Sequence, residues 1–115
     1  MENIKIIKEK ITLDELKTIA KDRFGDMVKV VVDVEQKIMA IGGDLHADEE
    51  AVLLEQGSKQ ENLWGINLYP EMQRDGFIEF DSMINIRPRQ NNRSRSVEDM
   101  GIQKKIVEIV NNLVK

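Results

Sequence analysis

Two short stretches hold most of the side chains able to do chemistry. The first is Gly42-Gly43-Asp44-Leu45-His46-Ala47-Asp48, a glycine pair leading from a strand-like run into a helix-like one. Such a turn leaves backbone amides free to meet a phosphate or carboxylate. The stretch lacks the lysine of a phosphate-binding loop and the spacing of a dinucleotide fingerprint. Asp44, Asp48, Glu49 and Glu50 would also repel an anion. The plainer interpretation is a glycine turn with Asp44 or His46 beside a helix cap. An enzymatic alternative uses His46 as general base, with Asp44 and Asp48 orienting it or binding Mg²⁺ or Mn²⁺. The spacing matches no specific metal motif, so no metal site and no cofactor are assigned.

The second stretch, Arg87-Pro88-Arg89-Gln90-Asn91-Asn92-Arg93-Ser94-Arg95-Ser96, carries four arginines and no acid. Guanidinium groups grip anions through paired donors, and Asn91, Asn92 and Ser94 would orient the group held by Arg87, Arg89, Arg93 and Arg95. The plainer interpretation is an exposed loop whose arginines pair with the chain's own acids. A smaller polar patch is expected where Asn67 and Asn85, on facing strands, come near Arg87.

Charge limits the partners. The net charge is −4, and outside the arginine stretch 13 basic residues face 21 acids, leaving that body at −8. Four arginines neutralise only a few phosphates, so a weak local contact is the most expected with nucleic acid. A protein partner or a small anionic ligand fits better. There is no cysteine and a single histidine, which rules out disulfides, thiolate chemistry and a multi-histidine zinc site within the chain. No apolar run reaches the ~18 residues of a membrane span, and Met1–Lys10 lacks the apolar core of a signal peptide. A cytoplasmic location is expected, with no membrane partner.

The elements that must position these residues follow from local pattern. At 115 residues the chain has the size of one domain, expected to span 1–115. Thr12-Leu13-Asp14-Glu15 is a capping box opening a helix that Gly25 stops. Valine-rich Met27–Val34 and then Ile38–Ile41 predict an antiparallel hairpin. Ala47–Gln56 predicts a second helix. Leu63–Tyr69 and Phe77–Ile86 predict a second hairpin, with Trp64 as core anchor and Gly65 marking a close backbone approach. Ser96 is the expected cap of a last helix whose stripe is Met100, Ile102, Ile106, Ile109, Val110 and Leu113. The order is α-ββ-α-ββ-α, with a short strand at Ile4–Ile7 as an optional first element. This predicts an α+β two-layer sandwich: an antiparallel sheet of two hairpins with three helices on one face.

Three word-like segments carry a resemblance: Ile38–Asp48, Asn62–Pro70, and Ile84–Pro88 with Asn92-Arg93-Ser94. Together they resemble a family of small prokaryotic proteins catalogued as a domain of unknown function, DUF5674, over most of the chain from Met27 onward. The resemblance implies a prokaryotic, cytoplasmic protein and carries no activity with it. The residues therefore favour a small binding or interaction module that holds an anionic group or acidic partner with the 87–95 loop. The alternative is a small hydrolase or metal-assisted enzyme, which requires the 42–48 turn and the arginine loop to share one cleft.

Overall fold

A computed structural model describes residues 3–115, with Arg74 described by its backbone alone. Along the chain run β1 (Lys5–Ile7), α1 (Leu13–Asp22), β2 (Val28–Asp33), β3 (Ile38–Ile41), α2 (His46–Glu55), β4 (Leu63–Leu68), α3 (Arg74–Phe77), β5 (Ile78–Glu79) and α4 (Met100–Leu113). The strands form one antiparallel sheet in the order β1-β3-β2-β4-β5. The α+β class holds, and the one-turn α3 is a fourth helix. Among the described residues no helix is long and apolar enough to cross a membrane.

Local signals explain the first half. Thr12 and Glu15 close the capping box reciprocally: Glu15 N donates to Thr12 Oγ1 at 3.1 Å, and Thr12 N donates to Glu15 Oε1 at 3.2 Å. The β2–β3 turn is held by Asp33, whose Oδ1 accepts the amides of Glu35 and Gln36, both at 2.9 Å.

Strand alternation gives the sheet two buried faces. Val28, Val30, Val32, Met39, Ile41, Trp64, Ile66 and Leu68 pack with Leu16 and Ala20 of α1 and Ile106 and Val110 of α4. Val31, Ala40 and Leu63 point the other way and meet Leu53 of α2. The helices therefore do not share one face. Val31, Ala40 and Leu63 make the second face as apolar as the first, so it too needs a cover, and α2 provides it.

The second hairpin departs furthest from expectation. Phe77–Ile86 is no long strand: only Ile78 and Glu79 pair with β4, opposite Leu68 and Asn67. Beyond them Ser82 takes over as a cap, its Oγ accepting the Ile84 amide at 3.3 Å, and Met83–Asn85 forms a 3-10 turn. The Asn85 side chain then does what strand backbone would have done, pairing with both the N–H and the C=O of Gly65. Ser82 lies so close over β4 that a Cβ on Gly65 would stand 2.5 Å from Ser82 Cβ. Gly65 is the close backbone approach that a glycine inside a strand suggests.

The last helix starts three residues later than expected. Asp99, not Ser96, caps it, with Oδ1 accepting Gly101 N at 2.8 Å and Ile102 N at 3.2 Å. Val97 is fully buried and anchors the approach, so residues 96–98 are not free to begin a helix. Ile106, Ile109, Val110 and Leu113 form the buried stripe, whereas Met100 is exposed.

Candidate functional site

α2 and the Ser82–Ile84 segment leave one end of their sheet face uncovered, and a cleft of about 450 Å³ opens there. Lys29 of β2 and Asn67 of β4, cross-strand partners, form its floor with Tyr69 just beyond the strand end. The start of α2 makes one wall through Leu45, His46 and Ala47. Glu79, Asp81, Ser82, Met83 and Arg95 make the other. The 42–48 turn and the arginine loop thus meet, through His46 and Arg95.

His46 is buried, and its Nε2 lies 2.7 Å from the Ile66 carbonyl oxygen. A carbonyl can only accept, so Nε2 carries the proton and Nδ1 is the neutral ring's acceptor. Burial pulls the His46 pKa below its usual value, aided by the positive charges of Lys29 and Arg95 and opposed by the Ile66 hydrogen bond and Asp81. Asn67 is buried too. Its Nδ2 donates to Glu79 Oε1 at 2.8 Å and to the Asp81 carbonyl at 3.2 Å, which fixes the amide orientation. Its Oδ1 is buried without a hydrogen-bond partner.

The charged groups alternate in sign. Arg95 Nε donates to Asp81 Oδ1 at 2.5 Å, and this bond holds the Asp81 carboxyl below the usual range and raises the guanidinium. The two terminal amino groups of Arg95 have no hydrogen-bond partner among the described residues, and its side chain is half exposed. Lys29 extends its ammonium over the Phe24 ring, 5.3 Å from the centroid. Glu79 Oε1 also accepts the Tyr69 hydroxyl at 3.0 Å. Removal from water, then this carboxylate, pushes the Tyr69 phenol up.

The other arginines lie elsewhere. Arg87 is built into the fold: its guanidinium donates to the carbonyls of Ile84 (3.0 Å), Gln60 (2.8 Å) and Leu63, and lies 4.7 Å from the centre of the Trp64 ring. Glu50 stands 3.8 Å away. Arg89 and Arg93 are exposed and do not line the cleft. Asn85 and Asn92 are buried hydrogen-bonding centres, not ligand-facing donors. Asn92 Nδ2 donates to the carbonyls of Asn85, Ser94 and Ser96, and its Oδ1 accepts Glu98 N at 2.8 Å. Asn91 supplies the left-handed turn residue, φ 60°, that ends a short 3-10 turn over Pro88–Gln90. Asn67 and Asn85 are not facing neighbours, since Asn67 stands opposite Glu79 and Asn85 serves Gly65.

Carboxylates of the chain itself take up backbone amides in both stretches. Glu49, fully buried, accepts Gly43 N at 2.9 Å. Glu98 accepts Arg93 N at 3.0 Å, and its hydrogen bond with Ser94 depresses its carboxyl most. Asp44 pairs with Arg23 at 2.8 Å, outside the cleft. Asp44, His46 and Asp48 form no ligand set: among the described residues no three acids or histidines are gathered as a metal would need.

Sequence reasoning missed Lys29, Tyr69, Glu79 and Asp81 as site residues. The available signal was Glu79 and Asp81 on the polar face of a segment expected to pair with Asn67. A larger groove of about 600 Å³ beside α4 is mostly apolar and holds none of the candidate site residues.

No curated protein and no solved structure matches this chain. The sequence pattern described as "Protein of unknown function (DUF5674)" matches residues 5–113, and the chain belongs to that family.

Proposed function

We propose that this protein is a small binding module, acting in a prokaryotic cytoplasm, whose cleft holds the anionic group of a small ligand through Arg95 and Lys29. The observation that carries the reading is Arg95: one nitrogen is fixed to Asp81, and two amino groups remain for a ligand beside a buried polar floor. Charge-assisted donors held by a neighbouring acid are preorganised, which lowers the ordering cost of binding. The cleft volume suits a small molecule better than a polymer. The arginine loop is thus retained in part, with Arg95 as its ligand-facing member.

A titration of labelled protein with inorganic phosphate and small carboxylates, followed by amide shifts at low and moderate salt, tests this. Saturable shifts are expected at Lys29, His46, Asn67 and Arg95. They weaken with salt, and Arg95→Ala lowers the affinity about tenfold. Shifts centred on Arg89 and Arg93, or none, overturn the reading.

A second reading, a hydrolase, rests on His46 sharing the cleft with Arg95 while its imidazole is held neutral. Asp44 has no part in it. Turnover of activated esters or phosphate esters that disappears in His46→Gln is its test.

A further inference from the structure

The cleft presents as many negative groups as positive ones. Arg95 and Lys29 face Glu79 and Asp81, and each acid has one oxygen without a hydrogen-bond partner among the described residues. A ligand bearing only an anion gains from two cations and is opposed by two carboxylates. A ligand that also carries an ammonium group turns that opposition into attraction. The rim supplies a third feature: Leu45 and Met83 both line the cleft and are more than half exposed, at 55% and 65%. They come from two different elements bordering the cleft, the start of α2 and the Met83–Asn85 turn, and offer exposed apolar surface beside its charged groups.

From these three features we infer that the ligand is a small zwitterion with an apolar side chain, of the free amino acid class. Its carboxylate lies against Arg95 and Lys29, its ammonium against Glu79 and Asp81, and its side chain between Leu45 and Met83. This rests on the anion-binding reading above and adds the ammonium requirement. The acidic half is held in place within the protein. Asn67 and Tyr69 both donate to Glu79 Oε1, which turns the other oxygen away from its internal partners. Asp81 is held through Arg95.

The test compares leucine, 4-methylpentanoate and 3-methylbutylamine, which share the apolar group and differ in charge, within a wider panel of L-amino acids. Amide shifts and calorimetry are read at fixed ionic strength. An amino acid of the panel is expected to bind at least about tenfold tighter than its deaminated acid, as one added ion pair in a partly desolvated cleft implies. Glu79→Gln, which keeps an oxygen for Asn67 and Tyr69, removes that advantage: it weakens the amino acid but strengthens 4-methylpentanoate, because one opposing carboxylate is gone. Arg95→Ala weakens both. If 4-methylpentanoate binds as well as any amino acid, or Glu79→Gln weakens both ligands equally, the ammonium subsite is overturned while anion binding stands. If neither amino acids nor carboxylates bind, both ideas fail together.

Discussion

Asn85 holds Gly65 by both of its backbone groups. Its Oδ1 accepts the Gly65 N–H at 2.8 Å, and its Nδ2 donates to the Gly65 C=O at 2.9 Å. One buried side-chain amide thereby replaces a residue of strand beside β4, just where β5 has stopped. The same Nδ2 also reaches the Arg95 carbonyl at 2.9 Å. The amide therefore ties the sheet to the loop that carries the cleft's principal cation.

Asn85→Asp tests that coupling with almost no change of shape. The carboxylate keeps the acceptor for Gly65 N but loses two donated bonds and adds a buried charge beside two carbonyls. A loss of about 3 kcal/mol or more in urea unfolding is expected, with the Gly65 amide exchanging faster in native-state hydrogen exchange. An unchanged midpoint would mean the amide contributes little.

Gly65→Ala should be destabilising for a steric reason and not a conformational one. The new methyl would stand 2.5 Å from Ser82 Cβ and 3.1 Å from Ile84 Cγ1. A cost of about 1–3 kcal/mol follows from overpacking. Ser82→Gly loses the cap on Ile84, which by itself costs only about a few tenths of a kcal/mol. It also makes room for the methyl, so the double variant should be less destabilised than the sum of the two.

Arg87→Lys separates charge from shape. The substitution keeps the cation near Glu50 but cannot reach three carbonyls at once or stack flat on Trp64. A stability loss of about 3 kcal/mol is expected. Trp64 is the only tryptophan, so a change in native fluorescence reports the lost stacking directly. Ligand binding in the cleft should survive, because Arg87 does not line it.

How much could be read in advance depends on where the determining contact lies. Thr12 and Glu15 act within four residues, so their capping box is visible in sequence order. The valines of β2 and the stripe of α4 are repeats of local period, and both were legible. Asn85 was not, because its effect depends on Gly65, twenty residues away, and its neighbours alternate in polarity just as a strand would. The amides of the Gly42–Asp48 turn were legible as suited to a carboxylate, whereas the Arg93 amide was not, because the arginine side chains dominate that stretch. The carboxylates that take up these amides, Glu49 and Glu98, follow a few residues later, and nothing in residue type distinguishes a carboxylate that folds back from one that faces water. The cleft itself was only half legible. His46 and Arg95 stood out by residue type, whereas Lys29 and Asp81 became site residues only because β2 and the segment after β5 lie on one sheet face.

The single histidine makes one pH dependence unusually clean. Burial depresses the His46 pKa below its usual value near 6.5, so the unfolded chain binds that proton more readily than the folded one. The stabilising contribution of neutral His46 is therefore complete above about pH 6.5. It is lost as pH falls from there through the folded-state value, with a slope of at most about 1.4 kcal/mol per pH unit. Carboxylates titrate mostly below this window, so His46 is the main side chain changing charge between pH 7 and 5. The melting temperature should fall across that interval. His46→Gln, whose amide can still donate to the Ile66 carbonyl, should flatten the profile there while leaving the carboxylate-driven fall at lower pH. A ring-proton titration by NMR should place the His46 midpoint below 6.5. A midpoint above that value would show that the Ile66 hydrogen bond, with Asp81, outweighs burial, and stability would then rise on acidification through the same interval.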